Sequence, residues 1–116
     1  AMETDLTTLL LAICPRVFPD VAPLSTARPY ITYQQIGGQS LRFVEGTAAD
    51  KRHHRMQINV WASRRAAAND MAHAIEDAMC AATAFVSRPD GELIATAEED
   101  MGLYGTIQTF DIWSTR

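Results

Sequence analysis

Apolar residues recur along the chain with two different spacings, three to four residues in some segments and two residues in others. Glu3–Cys14 has the first spacing, with acids in its first turn and Pro15 behind it, which predicts a helix. A second helix is predicted from an N-cap at Ser63 to about Thr83, with an alanine-rich apolar stripe. So much alanine indicates that this helix packs closely on a sheet.

Four segments have the pattern or the composition of strands. In Arg55–Trp61, Met56, Ile58 and Val60 alternate with polar residues, which predicts a strand with one buried face. The other segments with strand-like composition are Tyr30–Ile36, Glu92–Glu98 and Tyr104–Trp113. The last two are joined by a short acidic loop, which favours an antiparallel pair.

Shorter segments carry weaker signals. Arg16–Phe18 favours a short edge strand within a stretch punctuated by prolines, and Ser40–Glu45 favours a hairpin arm. Proline at the second position and glycine at the fourth predict a turn at Arg88–Gly91. Cys14 and Cys80 are interpreted as buried or half-buried thiols.

The predicted elements follow the order α-β-β-α-β-β. Helices that gather on one face of a sheet give an α+β fold, so we expect a largely antiparallel sheet of about four strands with two helices packed on it. The chain has 116 residues, 47% of them hydrophobic and 21% charged, which suits one globular domain. We assign this domain to residues 2–116 and expect Ala1 to be a cloning remnant. No apolar run approaches the ~20 residues of a membrane span, so we expect no membrane contact.

Charge is distributed unevenly along the chain. The net charge is −4, yet five of the ten Lys and Arg residues lie between positions 51 and 65, in a window without acids. Nine of the fourteen acids lie from Asp70 onward. Arg64 and Arg65 fall in the first turn of the second predicted helix, where the helix dipole disfavours cations. A charged partner surface would explain this arrangement.

Catalytic and metal-binding patterns are weak. His53 and His54 are adjacent in an extended segment, so their side chains point to opposite faces, and their neighbours are cationic. We therefore expect no metal site there. The sequence contains no G-x-S-x-G, no phosphate-binding loop and no G-x-G-x-x-G, and we expect neither enzyme activity nor a cofactor.

Two other functions stay open on the residues alone. The basic region 51–65 is compatible with a small nucleic-acid-binding domain, whose affinity would fall steeply with salt. His73, Glu76 and Asp77 share one side of the second predicted helix, which is compatible with a small α+β hydrolase or ligand-binding protein. Ion pairs on a helix surface give the same spacing more often.

An ordered set of segments resembles the tail-completion, or tail-terminator-like, minor tail proteins of long-tailed bacteriophages and prophages. The segments are Arg16–Pro23, Arg28–Gly38, His54–Met79 and Glu98–Trp113. Arg28–Gly38 is similar to the family's Pro-Tyr-(Val/Ile)-x-Tyr-Gln strand. His54–Met79 is similar to its Gln-(Ile/Val)-x-x-(Trp/Tyr)-Ala strand and the long helix that follows. Residues 39–51 and Gly105 depart from the usual pattern.

The resemblance implies a structural protein of the virion rather than an enzyme. Relatives lie at the head-proximal end of the tail tube, and several form a homomeric ring that stops tube growth and presents a face for head–tail joining. The implied partners of this chain are further copies of itself (a hexamer by family analogy), the tail tube protein and head-connector proteins. Genome DNA would pass through the lumen. The expected location is the virion tail, and the cytoplasm of the bacterial host during assembly.

A head-to-tail ring requires two different complementary patches on each subunit. The candidate interface or lumen residues are Lys51, Arg52, His53, Arg55, Arg64, Arg65, Glu98, Glu99 and Asp100. In one interpretation the basic residues face the acidic loop Glu98–Asp100 of a neighbouring subunit, and in the other they line the lumen. The stretch "KRHHR", Lys51–Arg55, is expected to be a loop that enters a strand.

Overall fold

The computed structural model describes residues 2–23, 27–37, 51–98 and 102–115. Two helices occur in these ranges, α1 (Met2–Ile13) and α2 (Arg65–Ala81). The strands are β1 (Val17–Pro19), β2 (Tyr30–Gly37), β3 (Lys51–Ala62), β4 (Val86–Pro89), β5 (Ile94–Glu98) and β6 (Leu103–Thr115). The α+β class is therefore confirmed.

The predicted number of strands, about four, is too low, because the described ranges contain six. Their order with the helices is α-β-β-β-α-β-β-β rather than α-β-β-α-β-β. β1 confirms the short edge strand expected near Arg16–Phe18. β4 has four residues, too few for a periodic apolar pattern. The hairpin arm expected at Ser40–Glu45 lies outside the described residues.

Strand β6 organises the sheet. It pairs with β3 along one edge through twelve antiparallel residue pairs, from Lys51↔Thr115 to Ala62↔Tyr104. At about 3.3 Å per residue this ladder is roughly 36 Å long. Along its other edge β6 pairs with β5 near its start and with β4 near its end. β2 lies on the far side of β3, and β1 adds to β2 as a parallel strand.

One face of the sheet and both helices enclose the core. Met56, Ile58 and Val60 are buried, as their alternation predicts, whereas the residues between them are half-buried. Helix α2 contributes a buried stripe of Ala68, Ala72, Ile75 and Met79. The small alanine side chains let the helix approach the sheet, and α1 packs beside α2 with Leu6 and Leu10 buried. Cys14 is buried, but Cys80 is exposed, contrary to expectation.

The start of α2 differs from the prediction. Ser63 is not the N-cap, because β3 stays extended to Ala62 and the chain then needs Ser63 and Arg64 to leave the sheet. Arg64 occupies the cap position in an extended conformation and no side chain caps the helix. The helix ends at Ala81 rather than near Thr83. The turn predicted at Arg88–Gly91 is also displaced, since Arg88 and Pro89 belong to β4 and the chain bends at Gly91, with φ 86°.

Candidate interface surfaces

The predicted interface residues fall into two groups at opposite ends of the β3–β6 ladder. Lys51–Arg55 begin β3, opposite Thr115–Asp111 of β6. Arg64 and Arg65 follow the other end of β3, and there Glu98 pairs with Leu103, next to the Ala62↔Tyr104 pair. Glu99 and Asp100 lie outside the described residues. The fold thus separates the two groups by about the length of the ladder.

The basic stretch Lys51–Arg55 lies within strand β3, so the expectation of a loop that enters a strand is wrong. The pattern of buried apolar residues begins only at Met56, and a strand start made of charged and imidazole side chains gives no apolar alternation. Pairing with β6 holds these residues in the sheet. In a strand, successive residues lie alternately on the two faces of the sheet, so pairing fixes the face of each residue, whereas a loop does not.

Acidic residues from distant parts of the chain meet this basic stretch. His53 Nε2 lies 2.9 Å from Asp111 Oδ1, and Arg55 Nη1 lies 3.6 Å from the same oxygen. Arg55 also forms an ion pair with Asp90. Trp113 stacks on the His53 ring, with 5.0 Å between ring centroids and 19° between planes. Of the three Lys and Arg residues in the stretch, Arg55 is therefore paired with acids of its own chain.

The two imidazoles point to opposite faces of the sheet, as the sequence predicts. His53 shares its face with Trp113 and Asp111, whereas His54 Nε2 lies 3.2 Å from Ser114 Oγ on the other face. Within the described ranges there is no group of three or more His, Cys, Asp or Glu residues placed to hold a metal ion.

The cationic start of α2 has a local contact. The guanidinium carbon of Arg65 lies 6.0 Å from the centre of the Tyr104 ring. An aromatic ring at this distance attracts a cation by about 0.5–1 kcal/mol at an exposed site, which offsets part of the unfavourable dipole. Arg64 and Arg65 are both exposed. No partner surface is needed to explain Arg65.

The group His73, Glu76 and Asp77 is not assembled as an acid–base site. Gln108 Nε2 donates to Glu76 Oε1 at 2.8 Å and to the Gly91 carbonyl at 3.1 Å, so Glu76 ties α2 to β6. His73 and Asp77 are exposed, and no hydrogen bond joins either of them to Glu76. The contact with Gln108 gives Glu76 a structural role.

The second face of the sheet, called the open face below, lies away from both helices. It contains the half-buried side chains of Tyr30, Trp61, Ile107 and Trp113. On the outer strands of the same face, Val86 is 63% and Ile94 64% exposed. The sequence gives no periodic signal for these apolar side chains, because polar residues such as Gln57, Asn59 and Thr109 lie among them on the same face.

A cleft of about 320 Å³ opens at one corner of the open face. Its lining residues are Asp20, Val21, Ala22, Tyr30, Thr32, Asn59, Trp61 and Leu103. Asp20 follows β1 with φ 62°, and its N–H donates to the Tyr33 carbonyl at 2.8 Å. Val21 beside it is 79% exposed.

A small α+β protein with charged ends, and with partly exposed aromatic and aliphatic side chains among the polar ones on its open face, has the features of a protein that works through its surfaces. The sequence model of the tail completion protein gp17 family matches residues 2–114, which is nearly the whole chain. The chain belongs to this family. It is accordingly a structural component of a phage-type virion tail, and the resemblance inferred from the sequence is confirmed.

Solved structures confirm the fold. A chain from the virion of a native gene transfer agent (GTA) particle superposes with a TM-score of 0.73 and 16% identity, over 100% of this chain and 96% of that chain. At this identity the likeness shows a shared fold. No curated protein matches the sequence. Membership in a structural tail family argues against the hydrolase or ligand-binding alternative. None of the described helices is long and apolar enough to cross a membrane.

Proposed function

We propose that the chain completes or terminates the tail tube and contributes to head–tail joining by forming a homo-oligomeric ring. The observation that carries this proposal is the placement of the charged groups at opposite ends of a twelve-pair ladder. Ring contacts are head-to-tail, so each subunit must offer two different patches that cannot meet within one subunit. A separation of roughly 36 Å meets that requirement.

The basic start of β3 in one subunit faces the acidic loop Glu98–Asp100 of the next subunit. Arg55 and His53 are engaged by acids of their own chain. The proposal assigns Lys51 and Arg52, the first two residues of the stretch, to the contact. Charge complementarity of this kind sets register and rate of association more than affinity. Arg64 and Arg65 lie at the acidic end and are less suited to it.

The partners of the ring are the tail tube protein on one side and head-connector proteins on the other. A hexamer follows by family analogy, and genome DNA passes through the lumen with non-specific contacts. Arg55 and His53 are paired with acids of their own chain, and this pairing competes with contacts to a nucleic-acid backbone. Function as a nucleic-acid-binding domain is therefore the weaker alternative. The ring assembles in the bacterial host cytoplasm and stays in the virion.

A charge-reversal experiment tests the contact. Lys51→Glu with Arg52→Glu should abolish ring formation, measured by light scattering and electron microscopy of the purified chain. Adding Glu98→Lys, Glu99→Lys and Asp100→Lys to that variant should restore rings. Arg55→Glu is unsuitable, because it would place a third carboxylate beside Asp90 and Asp111 and disturb the strand itself.

The control for this experiment is Asp70→Lys with Asp77→Lys, two exposed positions of α2. It changes the net charge by the same amount as the test variant but with the opposite sign, and it should leave rings intact. Rings that form normally in the Lys51→Glu, Arg52→Glu variant would contradict the proposed contact. DNA binding that is strong at low salt and falls steeply as salt rises would favour the nucleic-acid alternative instead.

A further inference from the structure

The cleft at the corner of the open face combines aromatic side chains with one carboxylate. Tyr30 and Trp61 are cross-strand partners, and Asp20 stands at the rim. The Asp20 carboxylate forms no hydrogen bond or ion pair with the described residues. An aromatic pair next to a carboxylate is a suitable environment for a guanidinium group and for an apolar side chain beside it.

Strand β4 presents that combination of groups. Val86 and Arg88 alternate with Ser87, so both lie on the open face, opposite Trp113 and Asp111 of β6. Both are exposed, and the Arg88 guanidinium forms no hydrogen bond or ion pair with the described residues. Asp111 opposite it is already engaged by His53 and Arg55.

The two features lie at different corners of the same face. Val86 is in the row of Trp113 and His53, whereas the cleft includes Trp61, eight residues further along β3. At about 3.3 Å per residue the rows are roughly 26 Å apart, and the cleft is also on the far side of β3. One chain therefore cannot fill its own cleft.

We propose that Val86 and Arg88 of one copy dock in the cleft formed by Asp20, Tyr30 and Trp61 of the next copy. The contact rests on the ring proposed above and adds a second, apolar element to it. Because the two patches are different and lie at different corners, each subunit can accept one neighbour and offer itself to a second, and such a contact closes into a ring when the rotation between successive copies allows it. The buried centre is aromatic and the ion pair is at the rim.

The guanidinium of Arg28, at the edge of the cleft, fixes the orientation in which Val86 and Arg88 of the other copy enter. Arg28 Nη1 donates to the Gly102 carbonyl at 3.2 Å, next to Leu103 at the opposite side of the cleft from Asp20. Like charges repel, so the Arg88 guanidinium enters on the Asp20 side and Val86 contacts the aromatic side chains. The arrangement distinguishes one docking direction from its reverse.

Two charge reversals and their combination test this contact. Arg88→Glu and Asp20→Lys should each raise the dissociation constant for self-assembly about tenfold or more, measured by analytical ultracentrifugation. The combined variant recreates an opposite-charge pair and should return to within about threefold of the wild type. Since neither side chain has a polar contact with the described residues, far-UV circular dichroism should not change. Asp70→Lys, on the exposed side of α2, is the matched control and should assemble normally.

The outcomes separate this contact from the proposed ring. Rings that tolerate both single reversals overturn the Val86–Arg88 contact and leave the ring standing. Failure of the combined variant to recover, or failure of the Asp70→Lys control, also overturns it. A wild-type chain that stays monomeric at every concentration contradicts the ring itself and removes this contact with it.

Discussion

The indole of Trp61 lies directly on the backbone of Gly105, its partner across the β3–β6 ladder. A Cβ atom at position 105 would be 2.7 Å from Cε3 of Trp61 and 3.0 Å from the Val60 carbonyl oxygen. This close approach is a physical reason for a residue without a Cβ atom at position 105. The contact places the Trp61 ring in the wall of the cleft on the open face.

Gly105→Ala should therefore displace Trp61 and destabilise the chain by about 1–3 kcal/mol, the range for overpacked sites. Chemical denaturation followed by circular dichroism measures the loss. In the Trp61→Leu background the same substitution should cost less, because the smaller side chain can move away, although the Val60 carbonyl still limits recovery. Equal costs in both backgrounds would show that Trp61 does not set the requirement for glycine.

The ion pairs at the start of β3 should differ in strength. Asp111 is partly shielded and contacts both His53 and Arg55, whereas Asp90 contacts Arg55 at an exposed position. We expect Asp111→Asn to lower the free energy of unfolding by about 1–2 kcal/mol and Asp90→Asn by less than about 1 kcal/mol. The two substitutions remove the same charge, so each is the control of the other. A larger loss for Asp90→Asn would contradict the assigned network.

The core and the open face should respond differently to truncation of large apolar side chains. Phe110 is fully buried beneath the helices, and Phe110→Ala should cost about 3–5 kcal/mol. Ile94→Ala, at a position that is 64% exposed, should change the stability of the monomer by no more than about 0.5 kcal/mol. Urea denaturation at a concentration where the chain is monomeric separates the two. A core-sized loss at Ile94 would mean that the open face is covered within the chain.

Glu76 and His73 should behave as structural and surface residues, respectively. Glu76→Ala removes the acceptor of the Gln108 amide and should cost about 1 kcal/mol, because Gln108 keeps only the Gly91 carbonyl. His73→Ala, on the exposed side of the same helix, should stay within about 0.5 kcal/mol of the wild type. Thermal unfolding of both variants checks this. If either residue were catalytic, its substitution would instead leave the stability equal to that of the wild type and abolish an enzyme activity.

The strongly periodic elements could be predicted from the sequence. The alternation of Met56, Ile58 and Val60 and the spacing in α1 and α2 depend only on neighbouring residues, so a local pattern contains the information. β4 and the true start of β3 are set instead by pairing with β6, which lies many residues away in the chain. Pairing of this kind has no local signal.

The candidate interface was predictable only in part. The basic region 51–65 was predicted as one patch, but the structure places Arg64 and Arg65 at the opposite end of the ladder from Lys51–Arg55. The acids that pair with Arg55 and His53 come from β6 and from the residue after β4. The cleft could not be predicted from the sequence for the same reason, because its lining residues come from or follow four strands, β1, β2, β3 and β6. These contacts join residues that are far apart in the sequence and that only strand pairing brings together.

The proposed completion of the tail depends on the chain forming a ring. Light scattering across a concentration series, with electron micrographs of the concentrated sample, measures this most directly. A ring-forming chain should show a concentration-dependent rise from monomer mass to one closed species, seen as rings of uniform diameter. A mass that stays at 12.8 kDa throughout, with no rings in the micrographs, would contradict it.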